Sequence, residues 1–116
     1  MDPDARGRAG TGPEQAAADR HREALDWAAT ARAERAELCA ALAEGSVDVA
    51  GVLTRRHEAA VGRVRLLTVL EAPAGARKVP TRHLLAELGL DPTMPLARLD
   101  DAAAAVVADR FPVLAP

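Results

Sequence analysis

The 116-residue chain has no Tyr, one Trp, one Phe and one Cys. So few rings exclude an RNA-binding sheet that stacks bases on exposed aromatics, and a core must be built from Leu, Val and Ala on closely packed helices. A single Cys excludes an intramolecular disulfide and suits a reducing cytosol. No apolar run opens the chain, so neither a signal peptide nor a membrane span is expected. Strand-like alternation and internal repeats are missing too.

Positive charge is scarce overall, the formal net charge being −2, but it is unevenly spread. Six basic residues stand against ten acidic ones between Met1 and Ala50, and two against four beyond Leu90. Between Gly51 and Leu90 the balance is seven to three in favour of the bases. The total argues against a DNA binder, yet the central stretch is where a polyanion would rest.

Residues 1–12, "MDPDARGRAGTG", read as a disordered tail. Pro13 then opens a helix, with Glu14 beside its positive end. Leu25, Ala28, Arg32, Arg35, Leu38 and Leu42 follow helical spacing in a thin stripe. The helix runs to Glu44, where Gly45 stops it as a left-handed cap. A helix this long in so small a protein is not buried throughout, and its N-terminal half is expected to project or to lie along a surface.

Ser46 or Asp48 caps the next helix, "VAGVLTRRHEAA". Gly62 interrupts, and "RVRLLTVLEA" follows as a helix with Val64, Leu67, Val69 and Leu70 inward. "PAGARKV" is a turn. Pro80 starts "PTRHLLAEL", which ends at Gly89 with Leu90 placed for the apolar contact of a glycine cap. "DPTMPLARL" is irregular, and Asp100 caps "DAAAAVVADRF", halted by Pro112. The expected fold is all-α. A single domain spans residues 13–116, with a long helix about 13–44 and a small four-helix globular part about 46–112.

The stretch "GARKVPTRHLLAELGL", Gly75 to Leu90, carries the chemistry. A helix N-terminus leaves backbone N–H groups unpaired, and with Lys78 these make an anion site. The competing reading is an ordinary solvated elbow. Arg55, Arg56, Arg63 and Arg65 extend the basic character, although neighbours in sequence cannot all face one way on a helix. Five phosphate contacts would give a salt slope of roughly −4 to −5.

His21, His57 and His83 lack metal-ligand spacing. Cys39 reads as a small buried hydrophobe. Trp27 reads as a packing anchor or, on a projecting helix, as an exposed handle. No Ser–His–Asp order, catalytic carboxylate pair or strand–helix phosphate loop can be assembled, so neither catalysis, cofactor nor metal is expected.

The ordered set "ARAERAEL", "LAEGSVDVAGVL", "VGRVRLLTVLEA", "KVPTRHLLAELGLDP" and "ADRF", from about Arg22 to Phe111, resembles the actinobacterial integration host factor family of the mycobacterial and streptomycete type. Its last third is also similar to the helix–two-turn–helix of ribosomal protein S13. The resemblance implies a cytoplasmic, nucleoid-associated protein. It would bind and bend double-stranded DNA in a largely sequence-tolerant way, through phosphate contacts and without catalysis. The DNA-binding residues implied here are Gly75, Arg77, Lys78, Arg82 and His83, with Arg63, Arg65 and Arg98.

The chain departs from the family's Gly-x-Gly-Lys turn by placing Arg77 where the second glycine stands. A Cβ there bears on close backbone approach, while Arg77 offers a guanidinium fork to the same phosphate. Pro80 stands where the family carries an arginine, and "TMPLARLDDAAAA" keeps only Arg98. A second reading is a divergent paralogue with weak DNA binding that docks on another protein through the long helix. A third, binding to structured RNA at the ribosome, rests on the S13-like segment alone. A monomer is expected.

Overall fold

The computed structural model describes residues 12–116, so the expected tail, save Gly12, lies outside the described residues. Among the described residues the fold is all-α, with six α-helices, one short 3-10 turn and isolated bridges in place of strands. The first helix, α1 (Pro13–Glu44), is 32 residues long. Ala, Glu and Arg favour that state, and Pro13 occupies the first turn, where a missing N–H costs nothing. Gly45 ends the helix at φ +80°. The N–H of Ser46 donates to Ala41 O at 3.0 Å and that of Gly45 to Leu42 O at 3.2 Å, the two bonds of a glycine C-cap.

The chain divides into two compact units inside α1, the first ending at Ala33 and the second running Glu34–Pro116. In the first, Gln15 Nε2 donates to Asp19 Oδ1 at 2.9 Å, and Arg22 pairs with the same carboxylate. Leu25 and Trp27 are 56% and 62% exposed. Trp27 is therefore not the buried anchor its size suggests.

The second unit holds the core. Leu38 and Leu42 of α1 enter it one helical turn apart. They are joined by residues of α2 (Val49–Thr54), α3 (Ala59–Gly62), α4 (Leu66–Glu71), α5 (Lys78–Glu87), the 3-10 turn Leu96–Arg98 and α6 (Asp101–Arg110). Leu66, Leu70, Leu85 and Leu96 are fully buried, each contributing about 1.5–3 kcal/mol relative to exposure. α2 packs on α6, α3 on the 3-10 turn and α4 on α5. Asp48 caps α2, its side chain accepting from Gly51 N–H at 2.7 Å, and Asp100 caps α6 by accepting from Ala103 N–H at 2.7 Å.

The helix expected over "VAGVLTRRHEAA" is split in two, and the cause is Arg56. Its side chain is buried. Nη1 donates to Leu53 O and Nε to Leu99 O, both at 3.0 Å, while Nη2 reaches Asp101 Oδ1 at 2.5 Å. The Leu53 carbonyl is thus occupied by a side chain and by the Arg56 N–H, and α2 stops. The chain turns and restarts as α3, whose last residue, Gly62, lies against the Arg56 carbonyl. A Cβ built there would come within 2.4 Å of that oxygen.

The next helix is shorter than "RVRLLTVLEA" suggests, because residues 64–67 bond to a neighbouring segment. Leu96 N–H donates to Val64 O, Leu66 N–H to Met94 O and Leu67 N–H to Pro92 O, all at 2.9 Å. Leu66 takes the core position expected of Leu67, which is only half-buried. The connection 91–99 is irregular as expected, apart from the 3-10 turn, and these bonds anchor it.

Cys39 is half-buried rather than buried. Burial pushes its thiol above the ordinary range, against a smaller opposing pull from Arg35.

Four outcomes test this packing. Arg56→Ala lowers stability by about 2–4 kcal/mol in urea titrations, because it strands the Leu99 carbonyl and empties the space of a buried side chain. Asp101→Asn, at an exposed carboxylate, costs less than about 1 kcal/mol. Gly62→Ala costs about 1–3 kcal/mol through the forced contact with the Arg56 carbonyl. At pH 8 a disulfide reagent modifies Cys39 more slowly in the folded chain than in the urea-unfolded one, since burial and the raised thiol pKa both suppress the thiolate; equal rates would contradict its placement.

Candidate nucleic-acid interface

The elbow between α4 and α5 is built from a tight turn. Ala76 N–H donates to Pro73 O at 3.1 Å, with Gly75 at the third position and φ +82°. That is where a type II turn demands a residue tolerant of positive φ. A Cβ on Gly75 would meet only Leu114 Cδ2, at 3.8 Å. Gly75 is thus required by backbone conformation rather than by space.

The C-terminal segment braces the turn. Arg77 N–H donates to Val113 O at 2.8 Å and Ala115 N–H to Gly75 O at 3.4 Å, with an isolated bridge between Ala76 and Leu114. Arg77 is the N-cap of α5, at φ −97° and ψ 122°. This is extended backbone that any L-residue adopts. Replacing a glycine by arginine at this point therefore carries no backbone strain. The Arg77 side chain is exposed and, among the described residues, has no carboxylate partner.

The helix begins at Lys78, two residues before the expected start at Pro80, which instead occupies its third position. Proline is accepted there because first-turn N–H groups need no intrahelical acceptor. The first intrahelical bond runs from Thr81 N–H to Arg77 O, and the buried Thr81 hydroxyl donates to the same oxygen at 2.5 Å. Arg77's own N–H is spent on Val113. The N–H groups of Lys78 and Val79 have no acceptor among the described residues. Two amides, the Lys78 ammonium and the Arg77 guanidinium therefore make up the elbow's anion-attracting set, a smaller grip than a helix start without proline would provide.

The other expected DNA-binding residues separate into three groups. Arg82 and His83 lie exposed on α5 close to the elbow, but Arg82 Nε is already paired with Glu71 Oε2 at 3.1 Å. Arg63 is half-buried and donates from Nη2 to Glu34 Oε2 at 3.2 Å. Arg65 precedes α4 and bridges to Pro95, so it lies at the opposite end of α4 from the elbow, together with the turn that carries Arg98. Six helical residues span about 9 Å, so the elbow and this second end are distinct parts of the surface.

Near Arg98, the Asp91 carboxyl is held below the usual range by the Thr93 hydroxyl first and its N–H second, with a smaller pull from Arg98. Arg55 is taken up by Glu58 at 3.1 Å, and Arg56 is interior. Of the four arginines expected to extend the patch from α2 to α4, Arg65 alone is exposed without an ion-pair partner among the described residues.

Glu71, which no motif singles out, is the carboxylate that holds Arg82 beside the elbow. Its partner is eleven residues away, a separation no helical spacing rule picks out. The pairing of residues 113–115 with the turn was equally unforeseen. Among the described residues no group of His, Cys, Asp and Glu could hold a metal ion, and no helix is long and apolar enough to cross a membrane. His21 and His57 are exposed on the surface.

No family model matches the chain, and no curated protein does. Among solved structures, that of sIHF bound to an 8-base-pair palindromic DNA matches with a TM-score of 0.67 and 26% identity. The match covers 74% of this chain and 98% of that one. The fold that presents the elbow is thus shared with an integration host factor-type protein solved on DNA.

Proposed function

We propose that the protein binds duplex DNA through its phosphates with little regard for sequence, bending it as an architectural protein of the bacterial nucleoid. One juxtaposition carries this reading. Arg77 and Lys78, without carboxylate partners among the described residues, stand beside two amides that have no acceptor there, in a fold shared with a protein solved on DNA. Backbone amides and cationic side chains of this kind fix register on a duplex and carry no base information. Binding is driven by release of counterions from the phosphates, so salt opposes it. With several arginines held by internal carboxylates and a net charge of −2, the affinity is modest, about micromolar or weaker at physiological salt.

A second reading, docking of another protein on α1, draws on the exposure of Leu25 and Trp27. It gains ground if light scattering finds a stable dimer rather than a monomer.

Fluorescence anisotropy with labelled duplexes tests the DNA reading. Three phosphate contacts, from Arg77, Lys78 and Arg82, give a slope of log affinity against log salt of about −3. Two duplexes of unrelated sequence bind equally within a few fold. The double variant Arg77→Ala with Lys78→Ala weakens binding about tenfold or more, through loss of two charge-assisted contacts, and flattens the slope by about 2. Binding unchanged in that variant means the DNA lies on another face.

A further inference from the structure

We propose that Glu71 is a positioning residue for Arg82, holding its guanidinium so that the outer edge is offered to a DNA phosphate. The inference rests on the DNA reading above and goes beyond it, because it assigns a function to an acidic residue inside a basic site.

The geometry differs from that of the other arginine–carboxylate pairs in this unit. Arg55 gives Glu58 both Nε and Nη2, and Arg63 gives Glu34 its Nη2. Arg82 gives Glu71 its Nε alone, at 3.1 Å, and its two terminal amino groups have no acceptor among the described residues. The Glu71 side chain is 18% exposed and that of Arg82 57%. A carboxylate fixed at the end of α4 thus grips the inner N–H of a guanidinium whose terminal fork remains in solvent.

A guanidinium is planar, so fixing Nε also orients the terminal amino groups that give a phosphate two parallel hydrogen bonds. An arginine already ordered loses less side-chain freedom on binding than a free one.

The Glu71 charge works in the opposite direction, since it repels a phosphate. It lies on the far side of the guanidinium, and its repulsion weakens as salt rises toward the physiological range. Ordering is not screened by salt. The two effects therefore predict opposite signs for removal of Glu71, and the ordering effect is the one that survives at physiological salt.

The test uses the full chain and a labelled mixed-sequence duplex, in anisotropy titrations from low to physiological salt, with thermal melts of every variant. Glu71→Ala is expected to weaken binding about three- to tenfold at physiological salt, the range set by ordering one long side chain at an interface. It should also steepen the salt slope, because Arg82 keeps its charge and the relief of repulsion that favours the variant at low salt is screened away as salt rises. Glu71→Gln keeps an oxygen acceptor for Nε without the charge, so it is expected to bind at least as tightly as wild type. Glu71→Ala in an Arg82→Ala background is expected to add nothing, because the residue acts only through Arg82.

Should Glu71→Ala fold poorly, Arg82→Lys at the exposed partner gives an independent result. It keeps the charge without the fork, and is expected to weaken binding nearly as much as Arg82→Ala. Tighter or unchanged binding by Glu71→Ala, an equal loss in the Arg82→Ala background, or wild-type binding by Arg82→Lys each overturns the proposal while leaving the DNA reading intact. A wild-type chain that binds no duplex at low salt overturns the DNA reading itself, and this proposal with it.

Discussion

The elbow depends on backbone hydrogen bonds between two segments far apart in sequence. Gly75 takes a left-handed conformation, and residues 113–115 bond to both sides of the turn it makes. These bonds decide where α5 begins and consume the Arg77 N–H. The Lys78 and Val79 amides are left at the surface beside two cationic side chains. Leu85 and Leu70 secure the helices on either side by burial. The turn is thus fixed from the core and from the C-terminal segment together, as a recognition surface needs if binding is not to spend its free energy on ordering the protein.

Internal carboxylates shape the electrostatics as much as the cations do. Glu58, Glu34 and Glu71 each take one arginine of the central basic stretch, and Arg56 is withdrawn into the interior. A concentration of positive charge in the sequence therefore becomes a small basic surface in the fold. The Arg56 clamp shows why such withdrawal is useful. One guanidinium bonds carbonyls on α2 and on the connection before α6, and its remaining amino group meets Asp101 at the start of that helix. Three elements are tied together that the modest Leu and Val core would otherwise hold by packing alone.

Local signals in the sequence were read well wherever the physics is local. Gly45 and Gly89 end their helices at positive φ, and Asp48 and Asp100 cap theirs with side-chain oxygens. Gly89 N–H and Leu90 N–H close α5 by bonding Ala86 O and Leu85 O. Each of these depends on four or five neighbouring residues. The misplaced features have partners elsewhere. The split of the second helix needs Leu99 and Asp101, and the shortening of "RVRLLTVLEA" needs residues 92–96. The siting of Leu66 in the core, with Leu67 at its margin, follows from that shortening.

The sequence by itself determined an all-helical chain, a long first helix, its glycine and aspartate stops, and a basic turn ahead of α5. Helix propensity, capping and left-handed glycine conformations act over one turn and are written in adjacent residues. Only the tertiary structure decided which basic residues remain for a ligand. It buried Arg56, paired Arg55, Arg63 and Arg82 with carboxylates, and set Arg65 at the other end of α4 from the elbow. Whether a charge is spent inside the protein or offered outside depends on which groups lie within a few ångströms in space, and distance along the chain does not reveal that.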